Sequence, residues 1–500
     1  MRKIIDMQRK FGETPVEEIE FDPDSRDEIP KLLIGLQSIY SDPGTRGEIF
    51  KILEELVPED ISADNGRPGM ELWRILVLGT LRLNCNWDYD KLKEMADNHV
   101  RVREMLGISD DDRERSWPLQ TLKDNVSMFT PEVADRINQV VVRAGHEAVG
   151  KGKEEVLKGR CDSFVAETDV HYPTDISLLS DAVRKIITLT ACLCFPMGMS
   201  AWRQWQYNIR QVRRLFREVR NLKRSSSKNE EKKAEKEAEI IEAHRRYADL
   251  ALSFVEKAKT AIAVIRGAGP DFLTEAKLQE IEKYINHAER QIDQIVRRVI
   301  RGEKIPHGEK VFSIFEEHTE WISKGKAGVP QELGVRVCIL EDQYGFILYH
   351  LVMEGLTDDR VAVRMAAEAQ ERFPELRICS FDKGFYSPKN KEELGKRLDG
   401  VILPKKGRLS EKEREEEHSE DFVKAKRRHS GVESAINALE NHSLDRCPDH
   451  GIEGFKRYAA LAVLARNIQI LGNIIQQKKL KSRKRREKYN KTTERNRAAA

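Results

Sequence analysis

A break in periodicity constrains the fold of this 500-residue chain more than any other feature. From about 183 to 300 the sequence is nearly all helical, with apolar residues of Ile240 to Ile265 at helical spacing. Further on, Val335, Val337 and Ile339 alternate with Arg336, Cys338 and Leu340 at the two-residue period of a strand. Asp342-Gln343-Tyr344-Gly345 is a turn and FILYHLVM the returning strand, which makes a β-hairpin. A helix over 358–373 follows, then the short apolar strand LRICSF, ending at Asp382. Ser387 caps a helix with Pro388 just inside it, running to about Arg397. GVILP (400–404) is another strand, and 411 to about 475 is helical. Upstream, EVLKGRCDSFV (155–165) reads as a strand, and YPTDISLLSDAVRKIITL as a turn running into a helix. The order strand, long helical stretch, hairpin, β-α-β, helices predicts an α/β sheet interrupted by a helical insertion.

The first ~150 residues read as several short helices. Met70 to Leu83 has a broad apolar face with Arg74 and Arg82 off it, Asp88 heads the next helix, and Trp117-Pro118 starts a third. Thr130-Pro131-Glu132 opens a fourth. Short helices with tight joints are the build of a helix-turn-helix, and equally of any small helical bundle. KRSSSKNEEKKAEKEAE (223–239) reads as a solvated helix pair or hairpin tip, with antiparallel helices on either side. The last 25 residues are low-complexity and basic, which predicts a disordered cationic tail that binds polyanions without sequence preference.

Net charge is only +3, so any nucleic-acid signal lies in how charge is distributed. The start lacks the apolar segment and cleavage site of a signal peptide. The apolar run Tyr458–Ala465 falls far short of the ~20 residues of a membrane span. Seven scattered cysteines fit reduced thiols in cytosol, and the lone C-x-C at Cys192 and Cys194 reads as two buried small residues. The expectation is a cytoplasmic, nucleoid-associated protein with no membrane partner.

Three acids carry the chemical reading. Asp382 leaves a buried strand just before Lys383-Gly384, and strand ends in α/β sheets are where ligands bind. Asp162 follows a strand in a similar way, but Glu167, Asp169 and Asp175 compete with it, and spacing does not choose among them. Glu433 borders the stripe Val432, Ile436 and Leu439, downstream of Lys424, Lys426, Arg427 and Arg428; taken singly, it reads better as an intrahelical ion pair than as a catalytic acid. As a set, three carboxylates from two strands and a helix would bind two hard divalent cations through oxygen. Such a pair serves in-line phosphodiester displacement. Lys383, Lys405, Lys406, Arg408, Arg427 and Arg428 are candidates for the DNA backbone.

DSFVAETDVHYPTDISLLSDAVR (162–184), SFDKGFYSPKNKEEL (380–394) and RRHSGVESAINALE (427–440), followed by LDRCPDHGIEGFKRYAALAVLARNIQILG, resemble the catalytic segments of bacterial insertion-sequence DDE transposases, of the groups numbered four and five and their relatives. The resemblance covers ~65 to ~475. It implies that Asp162, opening D-[ST]-x-V-x-E, is the first metal ligand, with Asp382 of D-K-G-[FY] the second and Glu433 of G-V-E-S the third. Asp169 and Asp175 then become supporting or structural. It further implies an RNase H-like fold, two Mg²⁺ or Mn²⁺ ions, nicking at element ends, strand transfer by a 3′-hydroxyl, and a homodimer on double-stranded DNA. The chain departs from some relatives, which carry Arg four residues before the catalytic Glu and Lys seven after it. Here those are His429 and Glu440; Arg428 stands in for the first, while Glu440 would not replace a phosphate-binding lysine.

The expected layout is an N-terminal helical DNA-end-binding domain (1–150), an RNase H-like catalytic domain (151–185 and 305–475) with a mixed sheet and flanking helices, an all-helical insertion (186–304), and the basic tail (476–500). Trp321 invites comparison with residues that stack on a flipped base, against plain aromatic packing, and Lys324 and Lys326 with phosphate contacts. A nuclease without strand transfer, and a catalytically inactive DNA-binding relic, are the rival functions.

Overall fold

The computed structural model describes residues 3–5, 12–57, 69–109, 112, 114–222, 229–323 and 331–499, from 491 on as backbone only. Lys324, Lys326 and the first part of the 223–239 charge run lie outside them. The chain divides into two compact units, Met1–Asp169 with Ile322–Ala500, and Val170–Trp321.

The first unit is built on a mixed sheet, seven-stranded among the described residues. Its strands are β1 (Leu157–Thr168), β2 (Glu320–Ser323), β3 (Gln331–Glu341), β4 (Ile347–Met353), β5 (Leu376–Phe381), β6 (Gly400–Ile402) and β7 (Arg446–Cys447). The expected hairpin is β3 and β4, antiparallel about Ile339↔His350. Its turn is tied by Asp342, which is fully buried and accepts the amide N–H groups of Tyr344 at 2.8 Å and Phe346 at 3.0 Å, while Gly345 takes φ +87°. β1 lies between β3, to which it is antiparallel, and β5, to which it is parallel; β6 continues the parallel side. The helix Asp358–Arg372 links β4 to β5, and the Ser387-capped helix Pro388–Arg397 links β5 to β6.

The N-terminal helices share one hydrophobic core with this sheet and cluster with it, so the contact boundary does not fall near residue 150. The helix Leu72–Asn84 is buried all round, including the two arginines expected off its apolar face. Arg74 donates to the Leu106 carbonyl at 2.6 Å, and Arg82 pairs with Asp449 at 3.0 Å beneath the rings of Tyr89 and Tyr458. Partners of this kind are what let a guanidinium be buried. Asn467 on the last helix bonds both Asn138 (2.7 Å) and the main chain of Ile347, fastening two helices to β4. The helix Glu28–Ser41 meets the last helix backbone to backbone: a Cβ on Gly472 would sit 1.8 Å from the Lys31 carbonyl oxygen, and one on Gly35 2.2 Å from that of Ile468.

The basic tail expected to be disordered is instead the continuation of this last helix, Gly451–Ala499. Its buried first half supplies the nucleus, and Lys, Arg, Gln and Glu propagate a helix well once one is started. Within Gly451–Asn490 lies one window apolar enough to cross a membrane, and 72% of it is buried inside the protein. It is a core helix by placement. All seven cysteines are free thiols.

The second unit is wider than the expected insertion of 186–304. It holds the helices Asp175–Cys194, Trp205–Asn221, Glu230–Gly267 and Phe272–Ile295 around its own apolar core, with Trp202 and Tyr247 almost wholly enclosed. Its first helix opens on a capping box between Thr174 and Ser177. Cys194 is buried there, whereas Cys192 is exposed. The described part of the charge run is the start of Glu230–Gly267, laced by pairs such as Lys233–Glu230 at 2.7 Å. Trp321 sits in an aromatic cluster, 5.6 Å from the ring centres of Tyr172 and Phe312, which favours packing over base stacking.

Candidate active site

The register of the parallel pair β1/β5 organises the site. Its last paired rung is Cys161↔Phe381, so Asp162 and Asp382 occupy the next rung on neighbouring strands, where β5 ends. Adjacent strands lie about 4.8 Å apart. β1 runs on, paired to β3 at Asp162↔Ile339, so Asp162 is half-buried while Asp382 is exposed. The sequence placed both acids near strand ends; the structure puts Asp162 inside a longer strand, level with the end of its neighbour.

The turn after Asp382 is fixed from three directions. Phe385, fully buried, donates its amide N–H to the Asp382 carbonyl at 3.1 Å and packs on Phe381. Asn390 donates to the carbonyls of Phe385 (2.8 Å) and Asp359 (2.7 Å), clamping the turn to the helix Asp358–Arg372. Gly384 brings the turn close to the same helix: a Cβ there would come within 2.9 Å of the Asp358 carboxylate. Asp358 also accepts from the Ser163 hydroxyl at 2.6 Å, next to Asp162.

Glu433 arrives on the helix Gly431–Leu439, which buries Val432, Ala435 and Leu439 and leaves Glu433 exposed. Two contacts dock this segment on the sheet. The Ser380 hydroxyl and His429 Nδ1 share a hydrogen bond at 3.0 Å, two residues before Asp382 and four before Glu433. Arg160, two residues before Asp162, donates to the carbonyl of Arg428 at 3.3 Å and presses so close to Gly431 that a Cβ there would clash.

The acids are near enough to act on one another's charge. Burial first, then the negative charges of Asp382, Asp358 and Glu433, push the Asp162 carboxyl up to about 6, against one opposing hydrogen bond from the Ser163 amide. His429 is held below its ordinary value by burial and by Arg160, with Asp382 and Glu433 pulling the other way. Its Nε2 is buried with no hydrogen-bond partner.

Asp358 and His429 were missed as members of the site. Asp358 carries only the signal of a first-turn helix acid, and His429 stands in the sequence as a departure from a family arginine, four residues before Glu433 on one helical stripe. Two of the three competing acids are engaged elsewhere in their own units, Asp169 with Arg446 and Asp175 with Arg298, each at 2.7 Å, while Glu167 lies exposed further along β1. Of the expected backbone-binding residues, Lys383 is exposed beside Asp382, and Lys406, Arg408, Arg427 and Arg428 are exposed. Lys405 is already occupied, with its ammonium on Glu413 at 2.7 Å and its amide on Glu417.

Carboxylates gathered in this way are, in kind, a donor set for a hard divalent ion. As the side chains lie, no group of three or more His, Cys, Asp or Glu among the described residues stands at metal-ligating separation. Asp382 and Glu433 are both exposed, so their side chains have room to turn. No protein-family model, curated protein or solved structure matches this chain.

Proposed function

We propose that the chain is a DDE transposase, cutting DNA strands at the ends of an insertion sequence and joining them to target DNA. The observation that carries this reading is the register that sets Asp162 beside Asp382, with the segment that leads into Glu433 docked on the same sheet through His429 and Arg160. The strand order β4-β3-β1-β5-β6, three antiparallel strands followed by two parallel ones, supports an RNase H-like core. Asp162, Asp382 and Glu433 would hold Mg²⁺ or Mn²⁺, which would polarise the scissile phosphate and the attacking oxygen. The protein's own part is to hold these oxygens on rigid strands and a docked helix, and to keep DNA in line. Exposed Lys383, Lys406, Arg408, Arg427 and Arg428 supply charge for its phosphates. Element ends must be paired for transposition, so a dimer on DNA belongs to this reading.

The test is cleavage and joining of labelled DNA carrying the element's ends, with Mg²⁺ or Mn²⁺. The expected result is metal-dependent nicking and strand-transfer products, both reduced at least about a hundredfold in Asp382→Asn, equivalent to ~2.7 kcal/mol of barrier. Nicking without joining would replace this reading with that of a nuclease. Binding without cutting would make the chain a relic, and full activity in Asp382→Asn would overturn the site.

A further inference from the structure

The helix Trp205–Asn221 of the insertion has two faces of opposite character. Ile209, Val212, Leu215 and Val219 are buried in the insertion's core. The opposite face carries Arg210, Arg213, Arg214, Arg217 and Arg220, all exposed, at the three- and four-residue spacing that places side chains in one stripe. Tyr207, half exposed, begins the same stripe one turn earlier. The helix has a single acid, Glu218, and it is bound to Arg246 of the next helix. Among the described residues, Arg210, Arg213, Arg214 and Arg217 pair with no carboxylate.

A face that serves only to meet water normally mixes its signs. The neighbouring helix Glu230–Gly267 does so, with Lys233–Glu230, Lys236–Glu239, Arg245–Glu242 and Lys259–Glu256 pairs along its length. Like charges three and four residues apart destabilise a helix. A one-sign stripe is therefore a cost that a polyanion would relieve. From Arg210 to Arg220 the helix rises ~15 Å, at 1.5 Å per residue. One DNA strand presents a phosphate about every 3.4 Å of axis, so the stripe faces roughly four of them. Arginine, with its planar fork, suits phosphate oxygens better than a point charge does.

We infer that the arginine face of Trp205–Asn221 is a sequence-independent binding surface for the backbone of duplex DNA. The inference rests on the DNA-processing reading only for the choice of duplex DNA over other polyanions.

The experiment measures binding of the full-length protein to a labelled random-sequence duplex by fluorescence anisotropy, with chelator present, from 50 to 200 mM salt. The glutamine quartet Arg210→Gln, Arg213→Gln, Arg214→Gln and Arg217→Gln keeps helix propensity and removes charge. It should lower the log–log salt slope by about 0.9 per arginine, roughly 3 to 4 in all. The corresponding lysine quartet should keep most of the slope. An unchanged slope in the glutamine quartet would overturn the surface. So would a slope lost equally in the lysine quartet, because charge would then not be its cause. Tighter binding of duplex RNA than of DNA, lost in the glutamine quartet, would overturn the choice of DNA. Failure of the catalytic reading is separable: a wild type that binds with the full slope but never cuts sinks the transposase and leaves this surface in place.

Discussion

The two units bury their apolar residues by different means. The sheet unit brings backbones together: a Cβ would clash at Gly35, Gly334 and Gly472 with the main chain of Ile468, Ala166 and Lys31, and at Gly145 with the Phe346 ring. The described glycines of the insertion, Gly198, Gly267, Gly269, Gly302 and Gly308, each have open space where a Cβ would stand. Its core is filled by large side chains such as Trp202 and Tyr247, and its surface by helix ion pairs. A unit that must hold carboxylates level on neighbouring strands needs exact backbone spacing. A helical unit that presents a charged face does not.

Separate cores imply separate unfolding steps, and this contrast can be tested from its largest expected effect downward. Trp202 is enclosed against Phe254 and beneath the Lys257 ammonium, 4.6 Å from its ring. Trp202→Ala should cost about 3–5 kcal/mol in the insertion's transition and leave that of the sheet unit in place, as read by denaturant unfolding with hydrogen exchange. Equal shifts in both would show that the units fold as one. Gly472→Leu forces a side chain into the Lys31 main chain and should cost the sheet unit about 3 kcal/mol, with the insertion unmoved. A neutral outcome would mean that the helix pair can part without loss.

The smallest effect is one of pH. Glu341 is buried at the end of β3, 3.0 Å from Arg160. Burial pushes its carboxyl up to about 7, and Asp342 adds to this against the pull of Arg160 and Arg466. The folded chain then keeps a proton that the unfolded chain has released, so stability declines as pH rises between the ordinary carboxylate range and 7. The sheet unit should lose roughly 1–3 kcal/mol between pH 5 and 7. Glu341→Gln should reduce that slope, leaving the part due to Asp162, whose carboxyl is also raised, to about 6, and the insertion should show none. An undiminished slope in the variant would assign it to another group.

Much of the sheet was legible because it is written in local chemistry. Alternation marked β3, the Asp342–Gly345 turn marked the hairpin, and the Ser387 cap and Pro388 marked the helix after β5. Asp382 could be found because a strand end and a glycine turn coincide there. What escaped is set by partners distant in sequence. Burial of Arg74 and Arg82 depends on Leu106 and Asp449, the role of His429 on Ser380, and the presence of Asp358 on Ser163. The insertion's limits were read too narrowly because the helix Asp175–Cys194 follows β1 with no change in composition; its contacts, which no local pattern records, assign it to the second core. The terminal helix was missed because composition alone does not report the buried helix that nucleates it.

The place of the insertion also sets an order of events in time. β1 is synthesised first, but the strands that flank it, β3 and β5, follow only after Val170–Trp321. At ~5–20 residues per second, the nascent β1 waits roughly ten seconds or more for a neighbour. An insertion that folds on its own meanwhile turns a long loop into a short tether, cutting the entropy of closing the sheet. Glu433 leaves the ribosome later still. A growing chain therefore carries Asp162 without Asp382 while about 220 further residues are made, and the three carboxylates can stand together only after Glu433 has emerged.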